Sequence, residues 1–186
     1  YEVQDAAGAT LGVFLQDNFA RPGKRSGAWM SSLRWQNRNA PAGGAEFPII
    51  LNNNNFARAT PGEPVLLAMD EARTLFHEFG HLVHHVLAGN QQWLRFSGVA
   101  TEWDFVEAPS QMLEEWAWDA EILQTFATNE AGEPIPADLV ARMRRADDFG
   151  KGYIARTQMF YAAMSYWFHT ERPADITERT RELQTR

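Results

Sequence analysis

The sequence predicts an α+β fold that is predominantly α-helical, with a small β-sheet confined to residues 1–55. Three observations carry this expectation. Apolar and polar residues alternate over 10–19, the period of a strand with one buried side. Residues 70–87 repeat apolar side chains at helical spacing. From residue 103 onward the patterning is helical almost throughout, broken by Gly and Pro rather than by strand signals.

In the first strand Leu11, Val13 and Leu15 alternate with Gly12, Phe14 and Gln16. Arg21-Pro22-Gly23-Lys24 reads as a turn, because Pro presets φ and Gly accepts a positive one. A second strand is expected over 27–35 and a third over 47–51, separated by the Asn-, Pro- and Gly-rich loop 37–44, in an antiparallel or mixed sheet. The four Asn at 52–55 are expected in a solvated turn that, with Thr60-Pro61-Gly62, leads from sheet to helix. None of them has Ser or Thr two residues later, so none is a glycosylation acceptor. Asp70 is the expected N-cap of the next helix, which runs to about Leu87 and stops near Gly89-Asn90.

After a connector containing Ser97-Gly98, the residues Phe105, Pro109, Met112, Leu113, Trp116, Ala120 and Leu123 share one face of an amphipathic helix, with Pro109 tolerable only in its first turn. Glu107, Gln111 and Glu114 form a second, polar stripe at the same period. Residues 136–149 carry Leu139, Val140, Met143 and Phe149 on one face. Gly150 and Gly152 interrupt, and 153–169 continues with Ile154, Tyr161, Met164 and Phe168, read as core packing. Asp175-Ile176-Thr177-Glu178 has capping-box spacing and opens a last helix. With no repeat, low-complexity tract or linker, residues 1–186 are expected to form one domain, with the helical part over 65–186.

Composition narrows the partners. A formal charge of −7 and the lack of a basic cluster argue against nucleic-acid or anionic-membrane surfaces. No apolar run approaches the roughly 18 residues that span a bilayer. There is no cysteine, so a metal would have to be held by His and carboxylate. Absence of disulfides fits either redox environment. The chain opens on Tyr1 rather than Met, and the expectation is a piece of a longer protein.

The chemistry concentrates in Thr74-Leu75-Phe76-His77-Glu78-Phe79-Gly80-His81-Leu82-Val83-His84-His85. Taking His77 as zero at about 100° per residue, His81 falls near 40°, His84 near −20°, His85 near 80° and Glu78 near 100°. Leu75, Phe76, Phe79, Leu82, Val83, Val86 and Leu87 fill the opposite arc. His-Glu-x-x-His on a helix is a zinc-hydrolase signature. Two imidazoles one turn apart reach one Zn²⁺ at about 2.0–2.1 Å each, and a catalytic site needs a third protein ligand plus an open position. Glu78 flanks the metal without binding it and can take a proton from the attacking water. The competing explanation is a cluster of structural histidines, but a core helix seldom gathers four His and a Glu in one stripe, since each buried polar group needs a partner.

A His ten residues after His77 would supply the third ligand from the extended histidine motif, but that position is Leu87. Glu102, with 20 residues between it and His81, and Glu107, with 25, both satisfy spacing. Placement at the head of a helix favours Glu107, because a rigid element holds ligand geometry better than a loop. His84 lies about 10 Å along the axis from His77, too far for the same tetrahedral ion, and suits a supporting or structural role. Metal-bound His usually has a partner on its other nitrogen; Asp104, Gln111 and Glu114 are all open possibilities.

His77-Glu78-Phe79-Gly80-His81-x-x-His84, followed by Asp104-Phe105-Val106-Glu107-Ala108-Pro109-Ser110-Gln111-Met112, resembles the thimet oligopeptidase and oligopeptidase A family of zinc metallopeptidases. The similarity extends to Gly23-Lys24-Arg25-Ser26-Gly27-Ala28-Trp29-Met30 and to Gly132-Glu133-Pro134-Ile135-Pro136. The resemblance implies a zincin-like catalytic core, one Zn²⁺ on His77, His81 and Glu107, Glu78 as the base, and a cytoplasmic enzyme that cleaves short peptides in a deep channel. It also implies that the strand over 27–33 offers backbone groups to an extended peptide. One departure stands against this. The family pattern continues with a downstream His, a Gly-rich loop and oxyanion-stabilising tyrosines, and Tyr153, Tyr161, Tyr166 and His169 do not match those positions. A noncatalytic zinc- or peptide-binding fragment is therefore the alternative. Internal cleavage and removal of C-terminal dipeptides are both left open, as is oligomeric state.

Overall fold

Alternation over the first strand yields β2 (Thr10–Phe19), which lies between two neighbours. β1 (Glu2–Gln4) pairs with it antiparallel and β4 (Ile49–Phe56) parallel, while β3 (Trp29–Arg34) joins the far side of β4 antiparallel. The order β1-β2-β4-β3 makes a mixed four-stranded sheet. This computed structural model describes residues 1–41 and 44–185; Ala42 and Gly43 of the expected 37–44 loop lie outside the described residues. The chain divides into two compact units, Tyr1–Ala127 and Thr128–Arg186.

The third strand corrects an expectation. Residues 52–55 are not a solvated turn but the second half of β4, where Asn52 and Asn54 have no accessible surface and Asn53 has 3%. Asn is a poor strand former in isolation, but β4 is central. Asn52 stands opposite Gln16 on β2 and Met30 on β3, so ladders on both sides supply its backbone hydrogen bonds, while its side-chain amide is buried with no partner among the described residues. Asn54 Nδ2 donates to Asn18 Oδ1 and Asn55 Nδ2 to the carbonyls of Arg25 and Gly27. The turn at 21–24 forms, with Gly23 at φ 81°, and it brings Lys24 back to the strands β2 and β4. The Lys24 ammonium donates to the carbonyls of Asp17, Phe19 and Asn54, and its side chain is 4% exposed.

α1 (Met69–Leu87) packs on this sheet: Leu82 and Val86 bury against Ile50, with Val3, Leu11, Phe14, Met30 and Val83 around them. Its N-cap is Ala68 rather than Asp70; the Glu71 carboxylate accepts from the Ala68 N–H at 2.8 Å, and Asp70 falls in the first turn, where a negative charge suits the helix dipole. The helix stops as expected, with the Ala88 N–H bonded to His84 O.

The amphipathic helix expected beyond residue 103 is shorter. α2 (Ala108–Glu114) begins with Pro109 in its first turn, passes into a 3₁₀ turn (Glu115–Trp118), and ends where the Asp119 carboxylate caps α3 (Ala120–Leu123). That cap competes with continuation, because its Oδ1 accepts from the N–H groups of Glu121 and Ile122. Leu113 and Leu123 are buried, whereas Phe105, Met112 and Trp116 are exposed.

The second unit holds α4 (Ala137–Asp147), α5 (Lys151–Glu171) and α6 (Ile176–Gln184). Only Gly150 breaks the path, at φ 79°; Gly152 lies within α5. Asp175 caps α6 by accepting from the Glu178 N–H, as its spacing predicts. The aromatic residues of α5 are not core: Tyr153, Tyr161 and Tyr166 are all exposed, and no residue of the helix is buried. Its apolar side chains are spread around the whole circumference, and one face is all that a single neighbour can cover. Among the described residues no helix is long and apolar enough to cross a membrane.

Candidate metal centre

The centre depends on how closely two helices approach. A Cβ built on Gly80 would lie 2.6 Å from Ser110 Cα and 3.1 Å from Pro109 O, so the first turn of α2 rests directly on the backbone of α1. Glu107, the residue that precedes α2, is thereby carried to the His77 and His81 side of α1. Its Oε2 lies 3.1 Å from His77 Nε2 and 3.1 Å from His81 Nε2. The three ligand atoms fall within 4.8 Å of one another, the single such group of three or more among the described residues. Ser110 is fully buried and donates its hydroxyl to Glu107 O and Oε2, at 2.9 and 3.0 Å, which restrains the carboxylate.

Of the two carboxylates that spacing allowed, Glu107 is thus the one brought to the histidines; Glu102 stays in the connector, exposed. Among the possible imidazole partners, Glu114 takes His77 Nδ1 at 2.6 Å, while Asp104 and Gln111 lie at the surface. This contact supplies a test of whether the residues suit a cation. With Nδ1 of His77 facing Glu114, its Nε2 faces the Glu107 carboxylate 3.1 Å away, so the ring is flanked by anions on both nitrogens and the Nε2–carboxylate contact is one that a cation, a proton or a metal ion, satisfies. A set of two imidazole nitrogens and one carboxylate oxygen is the donor chemistry that zinc takes.

Glu78 stands beside this group in a cleft of about 360 Å³ lined by Ala28, Trp29, Met30, His77, His81 and Glu107 among others. It is 6% exposed, and its Oε2 has no hydrogen-bond partner among the described residues. Burial pushes its pKa above the ordinary value and the Glu107 charge adds to that, while His77 and the Met30 backbone amide pull the other way. Burial lowers the pKa of His81 and His84, and brings His85 down to about 4 with help from His84. His84 stays out of the group, edge-on to Phe105. His85 is fully buried against Trp35, its Nδ1 accepting from the Val99 N–H.

Sequence reasoning missed Gly80, Ser110 and Arg73. Arg73 precedes His77 by one helical turn, so helical geometry alone puts both on one face; the Gly80 contact and the Ser110 hydrogen bonds depend on how two helices cross.

The family model described as Peptidase family M3 matches residues 1–186. The chain is 39% identical over 165 residues to the dipeptidyl carboxypeptidase of Salmonella typhimurium, covering 88% of this chain and 23% of that protein. It is 36% identical over 190 residues to oligopeptidase A of Escherichia coli (99% and 28%), and 35% identical over 170 residues to the thimet-like oligopeptidase of Dictyostelium discoideum (90% and 25%). The chain therefore belongs to peptidase family M3. It spans about a quarter of the length of these curated relatives.

Proposed function

We propose that the chain is the zincin-like core of a zinc-dependent oligopeptidase that hydrolyses peptide bonds in short peptides, with His77, His81 and Glu107 as zinc ligands and Glu78 as general base. The observation that carries this is the convergence of His77 Nε2, His81 Nε2 and Glu107 Oε2 in the cleft that Glu78 also lines. Zinc, when bound there, supplies Lewis acidity toward the scissile carbonyl and lowers the pKa of water.

The chain's own residues do the rest. Glu78 is held away from solvent with one oxygen unengaged, free to accept a proton from the attacking water. Its raised pKa makes it a better proton acceptor than a surface carboxylate and lets it return the proton to the leaving amine. Residues 28–30 bring β3, an edge strand of the sheet, to the cleft, where an extended peptide can add to it through main-chain hydrogen bonds.

The test is Glu78→Gln. Metal analysis should find zinc content unchanged, and chelator-sensitive cleavage of a fluorogenic peptide should fall by about 10²–10⁴-fold. Cleavage at the parental rate would remove Glu78 from its role. A parental protein that takes up zinc but turns over no peptide would point to a noncatalytic peptide-binding module instead.

A further inference from the structure

Resting on the metal site just proposed, we infer that Glu114 is a positioning residue for zinc: it accepts the Nδ1 proton of His77 and so fixes the Nε2 lone pair toward the ion, while Arg73 keeps its other oxygen engaged.

The two oxygens of Glu114 have separate partners. Oε1 lies 2.6 Å from His77 Nδ1. Oε2 receives Arg73 Nη2 at 2.9 Å and Nε at 3.2 Å. Glu114 and His77 are both largely withdrawn from solvent, at 19% and 23% exposure, so these contacts exchange less freely with water than surface pairs do. The arrangement follows from α2 as a unit. Glu107 and Glu114 stand seven residues apart, two helical turns, and reach the two nitrogens of the same imidazole from opposite sides. One helix therefore supplies both a ligand and the group that orients another ligand.

Two consequences follow for zinc. A ring fixed by its far nitrogen has one tautomer and one orientation, so less freedom is lost when the ion binds. Engagement of Oε2 by Arg73 also holds the carboxylate on the Nδ1 side of the ring, so the orientation it imposes on Nε2 does not drift.

Glu114→Gln and Glu114→Met test the inference. Both remove the charge and leave Arg73 facing a neutral side chain of similar length, but only Gln keeps an oxygen acceptor for Nδ1, the Met sulfur being a weak one. Zinc affinity is read by competition with a chromophoric chelator, alongside the visible spectrum of the cobalt-substituted protein, with far-UV spectra confirming the fold. Glu114→Met is expected to weaken zinc binding by about 10–100-fold and alter the cobalt bands, with Glu114→Gln nearer to the parent on both counts. Binding by Glu114→Met within about twofold of the parent, or a loss in Glu114→Gln equal to that in Glu114→Met, overturns it. Should Glu114→Met not fold, Glu114→Asp, which withdraws the carboxylate by one methylene, takes its place with the same expectation. A parent that takes up no zinc overturns the metal site itself, a separate failure.

Discussion

At the scale of single residues, the buried histidines tie stability to pH. His85 is pushed down to about 4 from an ordinary value of 6.5, first by burial and then by His84. Above pH 6.5 the folded and unfolded forms are both neutral there and its contribution is complete. As pH falls from 6.5 toward 4, the unfolded chain takes a proton that the folded one refuses, and about 3 kcal/mol of stability is lost across that window. His81 and His84 act in the same direction, whereas Glu78, with its raised pKa, opposes them. With chelator present, the urea midpoint should drop between pH 7 and 4.5, and the drop should be smaller in His85→Asn. An identical slope in that variant would assign the effect elsewhere. What the sequence made legible at this scale was chemistry with local periodicity: His77, Glu78 and His81 are spaced by one helix, and Glu107 by the head of the next. Glu114 was only one of three possible imidazole partners, because choosing among them requires knowing which face of α2 meets α1.

At the scale of elements, the crossing of α1 and α2 is the quantity to perturb. Gly80→Ala would gain about 1 kcal/mol of helix propensity, but the new methyl would fall 2.6 Å from Ser110 Cα. Backbone cannot yield as a side-chain tip does, so overpacking costing about 1–3 kcal/mol should prevail, and α2 should shift with Glu107 on it. Chemical denaturation should show lower stability, and chelator competition weaker zinc binding. Unchanged values for both would mean that the helices separate without disturbing the ligands. Long amphipathic runs such as α1 could be read in advance because burial of one stripe dictates them. Three features could not. β1 is too short to register as a strand until β2 offers it a partner. The Asn residues of β4 oppose local propensity and are held by ladders on both sides. The helix after Glu107 is cut by Asp119, whose side chain favours beginning a new turn over prolonging the old one.

At the scale of the whole molecule, the sheet-and-helix unit carries the candidate centre and has a definable apolar core, while α5 of the second unit presents Tyr153, Tyr161 and Tyr166 to solvent. The helical character of α5 was legible and its exposure was not, since the sequence specifies which side chains are apolar but not what lies against them. The clamp made by Lys24 has a practical corollary. The chain has only two lysines, Lys24 in the first unit and Lys151 in the second. Lys24 is sealed beneath three carbonyls at 4% side-chain exposure, and Lys151 stands open at 58%. An acylating reagent followed by mass spectrometry should modify Lys151, exposed though paired with Asp147 and Asp148, well ahead of Lys24, which reacts only when the sheet opens. The protein thus contains its own clock and reference, and prompt acylation of Lys24 under native conditions would mean that the sheet breathes far more often than its packing implies.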